Sequence, residues 1–168
     1  TGLDIAASTV GGDLSLLSGN ASGITDSGIL TVGGNLDATT NDNAGVIELN
    51  DLAVDGTIGV VTDGLGNATI VNDENVNFAA SNVGGDLDAT ATTGNISQSG
   101  SITVGLTTTL ETIVDDATIT LLDPSNSFTG AITVATSGTE GDVSIDGGSA
   151  TGLDIAASTV GGDLSLLS

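Results

Sequence analysis

Ser8-Thr9-Val10-Gly11-Gly12-Asp13-Leu14 returns as Ser81-Asn82-Val83-Gly84-Gly85-Asp86-Leu87, and again, letter for letter, as Ser158-Thr159-Val160-Gly161-Gly162-Asp163-Leu164. In each copy a short apolar run stops at Gly-Gly-Asp and a new one begins. Gly and Asp accept the backbone angles of a sharp turn. The alternation that follows, Leu14 and Leu16 in the first copy, has the period of a strand. The phrase reads strand, turn, strand.

Working outward, Val10-Gly11-Gly12 recurs as Val32-Gly33-Gly34 after 22 residues, and Val83-Gly84-Gly85 is followed 21 residues later by Val104-Gly105-Leu106. Apolar residues stand at i and i+2 along the whole chain: Leu3/Ile5, Leu30/Val32, Ile47/Leu49, Ile58/Val60, Val76/Phe78, Ile102/Val104, Ile119/Leu121, Ile132/Val134, Val143/Ile145 and Leu153/Ile155. Clusters such as Gly19-Asn20-Ala21-Ser22-Gly23 and Asp63-Gly64-Leu65-Gly66-Asn67 separate them. No stretch of ten residues keeps a helical period, and 26 Gly weaken any helix. The expected fold is all-β: a right-handed parallel β-helix, or β-solenoid, of about 21–22 residues per turn. Each turn then rises ~4.8 Å. Inward Val, Ile and Leu stack in columns, each worth about 1.5–3 kcal/mol when fully buried.

Two longer periods lie over the turn. Thr1 to Ser18 is identical to Thr151 to Ser168, a period of 150, which predicts a natural chain longer than these 168 residues. Within the unit, Ile24 to Gly33 matches Ile96 to Gly105, Val46 to Asp51 matches Thr118 to Asp123, and Thr57 to Thr62 matches Ala131 to Thr136. Residues 1–150 therefore form one solenoid unit with halves at about 8–80 and 81–157, residues 151–168 begin the next unit, and the whole is one continuous solenoid. Seven turns fill a unit, roughly 34 Å of axis at the strand spacing. Thr151 is expected to occupy the place in its turn that Thr1 occupies in the first.

The missing residues exclude whole classes of chemistry. There is no Lys, Arg, His or Cys, and the net charge is −22. Without cationic side chains the chain cannot release counterions from phosphates, so nucleic acid is not a partner. No apolar run reaches the roughly 18–20 residues of a membrane helix. Nucleophilic catalysis that depends on His, Cys or Lys is ruled out, leaving only paired carboxylates, Asp115/Asp116 and Asp86/Asp88, for a glycosidase-like reaction. No Trp or Tyr is available to stack on a sugar. The expectation is that the chain is not an enzyme.

The phrases Thr31-Val32-Gly33-Gly34-Asn35-Leu36, Gly94-Asn95-Ile96-Ser97-Gln98-Ser99-Gly100 and Thr103 to Leu110 resemble the repeats of filamentous-haemagglutinin-like large exoproteins. The resemblance implies a long right-handed β-helix, export from a Gram-negative cell and adhesion. The chain departs from that family in its lack of basic residues and in the identical return of Thr1 to Ser18 as Thr151 to Ser168.

Calcium is the cofactor that the turns could take, since hard cations prefer carboxylate, amide and carbonyl oxygens. The candidate ligands are Asp63 and Asn67, Asp73 and Glu74 within Asn72-Asp73-Glu74-Asn75, Asp115 and Asp116, and the run Asn41-Asp42-Asn43. None fits the twelve-residue calcium loop or the glycine-rich nonapeptide. Solvated turn carboxylates are the competing reading. Asp13 and Asn35, and Asp86 and Thr107, stand one turn apart, so carboxylates avoid stacking directly on one another. Thr-x-Thr pairs at Thr90/Thr92, Thr107/Thr109 and Thr118/Thr120 are read as outward strand positions, since their steps do not match a turn.

The function expected is that of a structural segment in a long extracellular or cell-surface fibre or adhesin, acting in adhesion, cell–cell contact or as a stalk. Its partners would be further copies of the repeat, covalent or end to end, with neighbouring fibres or cell-surface glycans beyond. Tandem calcium-dependent β-sandwich domains and a carbohydrate-binding solenoid are the alternatives.

Overall fold

The computed structural model describes residues 1–41, 44–148 and 152–168. The expected phrase repeats as eight stacked turns. The first holds β1 (Leu3–Ile5), β2 (Ser8–Val10) and β3 (Leu14–Ser18), and the second β4 (Ile24–Asp26), β5 (Leu30–Val32) and β6 (Leu36–Thr40). In the third, the first two strands merge into β7 (Ile47–Val54), followed by β8 (Ile58–Val61). Then come β9 (Ala68–Asn72), β10 (Val76–Phe78) and β11 (Ser81–Val83); β12 (Leu87–Ala91), β13 (Ile96–Gln98) and β14 (Ile102–Val104); β15 (Thr108–Thr112), β16 (Ile119–Leu121) and β17 (Ser127–Phe128). The seventh turn contains β18 (Ile132–Ala135) and β19 (Val143–Asp146), and the eighth ends in β20 (Leu164–Leu167).

These strands make two sheets. The first carries β1, β2, β4, β5, β7, β9, β12, β15 and β18, and the second carries the other eleven. All registered pairs among the described residues are parallel. That overturns the β-sandwich alternative, whose strands pair antiparallel. Among the described residues no helix is long and apolar enough to cross a membrane.

Following one inward column down the first sheet gives Leu3, Ile24, Ile47, Ala68, Leu87, Thr108, Ile132 and Ile155. The steps are unequal, shortest from Ala68 to Leu87 and longest from Thr108 to Ile132, so the turn is less uniform than expected. Seven steps from Leu3 reach Ile155, although the sequence copy of Leu3 is Leu153. The second sheet has the same offset: Leu14 leads through Leu36 and Ile58 to Phe78, while its copy Leu164 leads back through Val143, Ile119 and Ile96 to Val76. Thr151, for which an identical place is expected, lies outside the described residues; the displacement is that of residues 152–168. The copied segment sits two residues displaced, because seven turns use two residues more than the repeat contains. An even displacement preserves which side chains face inward.

Residues 24–40 form β4 and β5 in the first sheet and β6 in the second, whereas the matching residues 96–112 form β13 and β14 in the second sheet and β15 in the first. One half-repeat is three and a half turns. Equivalent residues in the two halves therefore lie on opposite faces.

The interior is a continuous stack of Ile, Leu and Val that includes the two phenylalanines, Phe78 and Phe128, both buried in the second sheet. Chain turns come close enough to demand glycine. At Gly23, with φ of +70°, a Cβ would stand 1.8 Å from the Val46 carbonyl oxygen, and at Gly84 it would stand 1.7 Å from that of Gly64. Polar side chains complete the ladder where strands end. Strand β7 outruns β9, and the buried Asn72 amide replaces the missing strand: Oδ1 accepts from Val54 N–H at 2.9 Å and Nδ2 donates to Val54 O at 3.1 Å. The hydroxyls of Thr40 and Thr62 donate to Gly45 O and Gly66 O, and their half-repeat counterparts Thr112 and Thr136 donate to Ala117 O and Gly141 O on the opposite side.

Candidate functional site

The acidic and amide residues of the turns are engaged along the solenoid axis. Asp13 Oδ1 accepts the Asn35 N–H at 2.8 Å, and Asn35 Oδ1 accepts both the N–H and the hydroxyl of Thr57 at 2.9 and 3.0 Å. On the opposite side, Asn67 Oδ1 accepts from Asp86 N–H, and Asp86 Oδ1 accepts from the N–H and hydroxyl of Thr107. Asn75 and Asn95 continue the arrangement toward Asn95 N–H and Thr118 N–H. Each side chain thus satisfies a turn N–H one level further along. The charged–neutral steps expected at Asp13/Asn35 and Asp86/Thr107 are present. The expectation that carboxylates avoid stacking fails at Asp142 and Asp163, which lie one turn apart with Asp163 N–H donating to Asp142 Oδ1 at 2.7 Å, so hydrogen bonding to the next turn and not charge avoidance governs these positions. The Thr107 hydroxyl and N–H hold the Asp86 carboxyl below its ordinary range.

Bonds between neighbouring turns engage the side chains of three of the six candidate calcium ligands, Asn67, Asp115 and Asp116. Asn67 Oδ1 is committed to Asp86 N–H. Asp116, at φ +65°, accepts Thr139 N–H at 2.8 Å and Glu140 N–H at 3.0 Å through Oδ1, while Asp115 Oδ1 accepts the Ser137 hydroxyl at 2.7 Å. Asp63 closes a tight turn through its carbonyl, which accepts Gly66 N–H at 3.0 Å. Asp73 uses its carbonyl to accept the N–H and hydroxyl of Thr93, and Glu74 is exposed beside it. Asp42 and Asn43 lie outside the described residues. Among the described residues no three acidic side chains converge on one point that could hold a metal.

The Thr-x-Thr pairs divide between strand and turn. Thr90, Thr109 and Thr120 lie in strands, as expected, but Thr92 donates to Asn72 O, Thr107 to Asp86 and Thr118 to Asn95 Oδ1. Only one threonine of each pair therefore belongs to a sheet face.

A shallow concavity of about 380 Å³ opens beside β7, where the register slips between Leu49 and Leu52. Asp26 holds that bulge, accepting Asn50 N–H on one carboxylate oxygen and Asp51 N–H on the other. Ile29, Asp51, Val71 and Asp73 line the hollow. A second hollow, about 280 Å³, lies at Pro124, Asp146 and Gly148. Pro124 follows the TITLLD segment as Leu52 follows VIELND, so the two hollows are half-repeat counterparts.

The two sheets present unlike outer faces. On the first, one outward column runs Asp4, Thr25, Glu48, Thr69, Asp88, Thr109 and Thr133, with a carboxylate on every second turn as far as Asp88. Thr25 and Ser27 hydroxyls donate to Asp4 at 3.4 and 3.2 Å. Partial burial raises the Asp88 carboxyl above its ordinary range. On the second sheet the corresponding columns are almost free of charge.

A family model described as repeats of unknown function (DUF5649) matches residues 1–64 and 65–135 in succession, and the chain belongs to that repeat family. Comparison with curated proteins and with solved structures gave no match.

Proposed function

We propose that this chain is a length of a stiff surface fibre, a shaft that carries adhesion or holds one cell away from another. The observation behind this reading is the ladder across the unit boundary. Residues 152–168 begin a second copy of the unit, and they join the first through Val143–Asp146 paired with Leu164–Leu167 and through the bridges Ile132 to Ile155 and Ala135 to Thr159. A repeat that continues the sheets of its predecessor adds length without a joint.

Two further points support export and adhesion. The turn phrases resemble those of filamentous-haemagglutinin-like exoproteins, and a surface without Lys or Arg offers no site to trypsin-like proteases. Electron micrographs of chains carrying one, two and three units test the reading. Contour length should grow by about 34 Å per unit, seven strand spacings, with no flexible joint. Beads linked by bends would refute it, and antibody labelling of intact cells tests display at the surface.

A further inference from the structure

We infer that the outer face of the second sheet is where two copies of this chain pack side by side, an inference that rests on the fibre reading above. One column of that face runs Leu17, Thr39, Val61, Asn82, Thr103 and Ser127, and another runs Asn77, Ser97, Thr120, Ser144 and Ser165. None of these residues is charged, although the chain carries 22 acids and no Lys or Arg. Two outward carboxylates do occur on this sheet: Asp37, exposed beside Gly59, and Asp146, which at the end of β19 accepts Gly148 N–H.

Charge decides which faces can meet. With no cation in either copy, apposing two first-sheet faces would bring Asp4, Glu48, Asp88 and Glu111 against their own counterparts with nothing to neutralise them. The second face brings hydroxyls and amides together, and it also carries apolar area. Within its strands Leu17 is 62% exposed and Val61 38%, whereas the described strands of the first sheet expose no comparable side chain. The occupant is therefore a second copy, related by a two-fold axis that makes the same patch serve both partners, with the sheets packed roughly 10 Å apart.

Sedimentation equilibrium and X-ray scattering on the whole chain at physiological salt test this. The expected particle is a dimer with an enlarged cross-section and unchanged length. Asn82→Glu with Thr103→Glu should return it to a monomer of unaltered circular dichroism, while Thr69→Glu with Thr109→Glu on the other face should leave the dimer intact. Because the chain has no cysteine, Thr103→Cys should form disulfide-linked pairs under mild oxidation in preference to Thr109→Cys, a readout independent of the Glu variants. A chain that stays monomeric to about 1 mM, the weak end of specific association, would overturn the proposal. So would equal cross-linking from both faces, or association that lengthens the particle at constant cross-section. In those cases the particle is still a rod and the fibre reading stands; a compact particle without the proportions of a rod would remove the fibre reading as well.

Discussion

Leu14 and Leu87 follow the same Val-Gly-Gly-Asp phrase, yet they stand in opposite sheets: Leu14 pairs with Leu36 in the second, and Leu87 with Ala68 and Thr108 in the first. A half-repeat of three and a half turns is compatible with a continuous ladder only if both sheets accept the same sequence. They do, because each turn is itself two strand-bearing sides joined by similar corners. Thr40 and Thr112 illustrate it, closing equivalent corners on the two sides with the same hydroxyl bond.

A deletion tests this relationship. Removing residues 8–80 joins Ala7 to Ser81, and the seam reads Ala-Ala-Ser as it does at Ala6-Ala7-Ser8 and Ala79-Ala80-Ser81. Every later strand then changes sheet, and the ladder closes without a gap. The shortened chain should keep its β-sheet circular dichroism and lose about 17 Å of length by X-ray scattering, three and a half strand spacings. A deletion of equal length whose ends cut through strands should collapse the signal.

Thr108 gives a prediction in the opposite direction from most core changes. It is fully buried in the column between Leu87 and Ile132, at the place that Leu36 fills in the other half, and its Oγ1 has no hydrogen-bond partner in the protein. An unsatisfied buried hydroxyl costs about 1–3 kcal/mol. Thr108→Val keeps the shape and removes that cost, so the variant should be more stable by roughly 1 kcal/mol in urea titration. A loss of stability would mean that the hydroxyl is satisfied.

Asn126 should be among the least replaceable polar residues. Its Oδ1 accepts from Ile102 N–H and Gln98 Nε2, both at 2.9 Å, and its Nδ2 donates to Gln98 Oε1 at 2.9 Å and Asp146 O at 3.0 Å, tying three turns together. Asn126→Leu leaves the buried Ile102 N–H without a partner, at about 1–3 kcal/mol for that group alone. Gln98→Leu should cost less, because the Asn126 bonds to backbone survive it. The order of the two variants in a denaturant melt is the measurement.

How far the sequence could be read follows from which residues point inward. Strands with large apolar pairs, such as Ile47/Leu49 and Ile119/Leu121, were legible from the alternation and are strands in the structure. Strands β9, β12 and β15 bury Ala68, Asn72, Ala89, Ala91, Thr108 and Thr112, small or polar residues that leave the alternation faint. The one-turn steps from Asp13 to Asn35 and from Asp86 to Thr107 were legible too, but their cause was not, since nothing in the spacing says that Asp13 reaches the N–H of Asn35. The half-turn offset lay within reach, because the step from Ser8 to Ser81 is close to three and a half turns of the expected length. No candidate calcium pair could be judged from sequence, because the competing partners, such as Thr139 N–H for Asp116, come from the neighbouring turn.

Glycine at the turn contacts should resist even the smallest side chain. Gly84→Ala would place a methyl 1.7 Å from the Gly64 oxygen, against backbone that has no soft side chain to give way. The fourth and fifth turns must then separate locally, breaking the Gly85 N–H to Gly66 O bond among others. Hydrogen exchange should report lost protection at Gly85 and at Ala68, whose N–H donates to Asp86 O across the same interface, while β18 and β19 keep theirs. Uniform protection would show that the corner can shift without cost.

Asp86 and Asp88, two residues apart, should respond to acid with opposite signs. The Asp86 carboxyl is depressed by the Thr107 hydroxyl and N–H, so its charged form stabilises the fold above the unfolded carboxylate pKa of about 3.9, and that contribution disappears as pH falls through the lower folded value. Asp88 is raised by burial, so its charge destabilises the fold at neutral pH, and the penalty is relieved as pH falls through the raised value toward the unfolded one. Asp88→Asn should therefore melt higher than the parent at pH 7, with the difference closing in the acid range. Asp86→Asn keeps an acceptor of the kind Asn35 already offers Thr57 but gives up the charge, so it should melt slightly lower at pH 7 and converge with the parent only below the folded pKa of Asp86. Thermal melts of both variants from neutral to acid pH measure the two differences, and differences of the same sign at pH 7 would contradict the assigned surroundings of one or the other carboxylate.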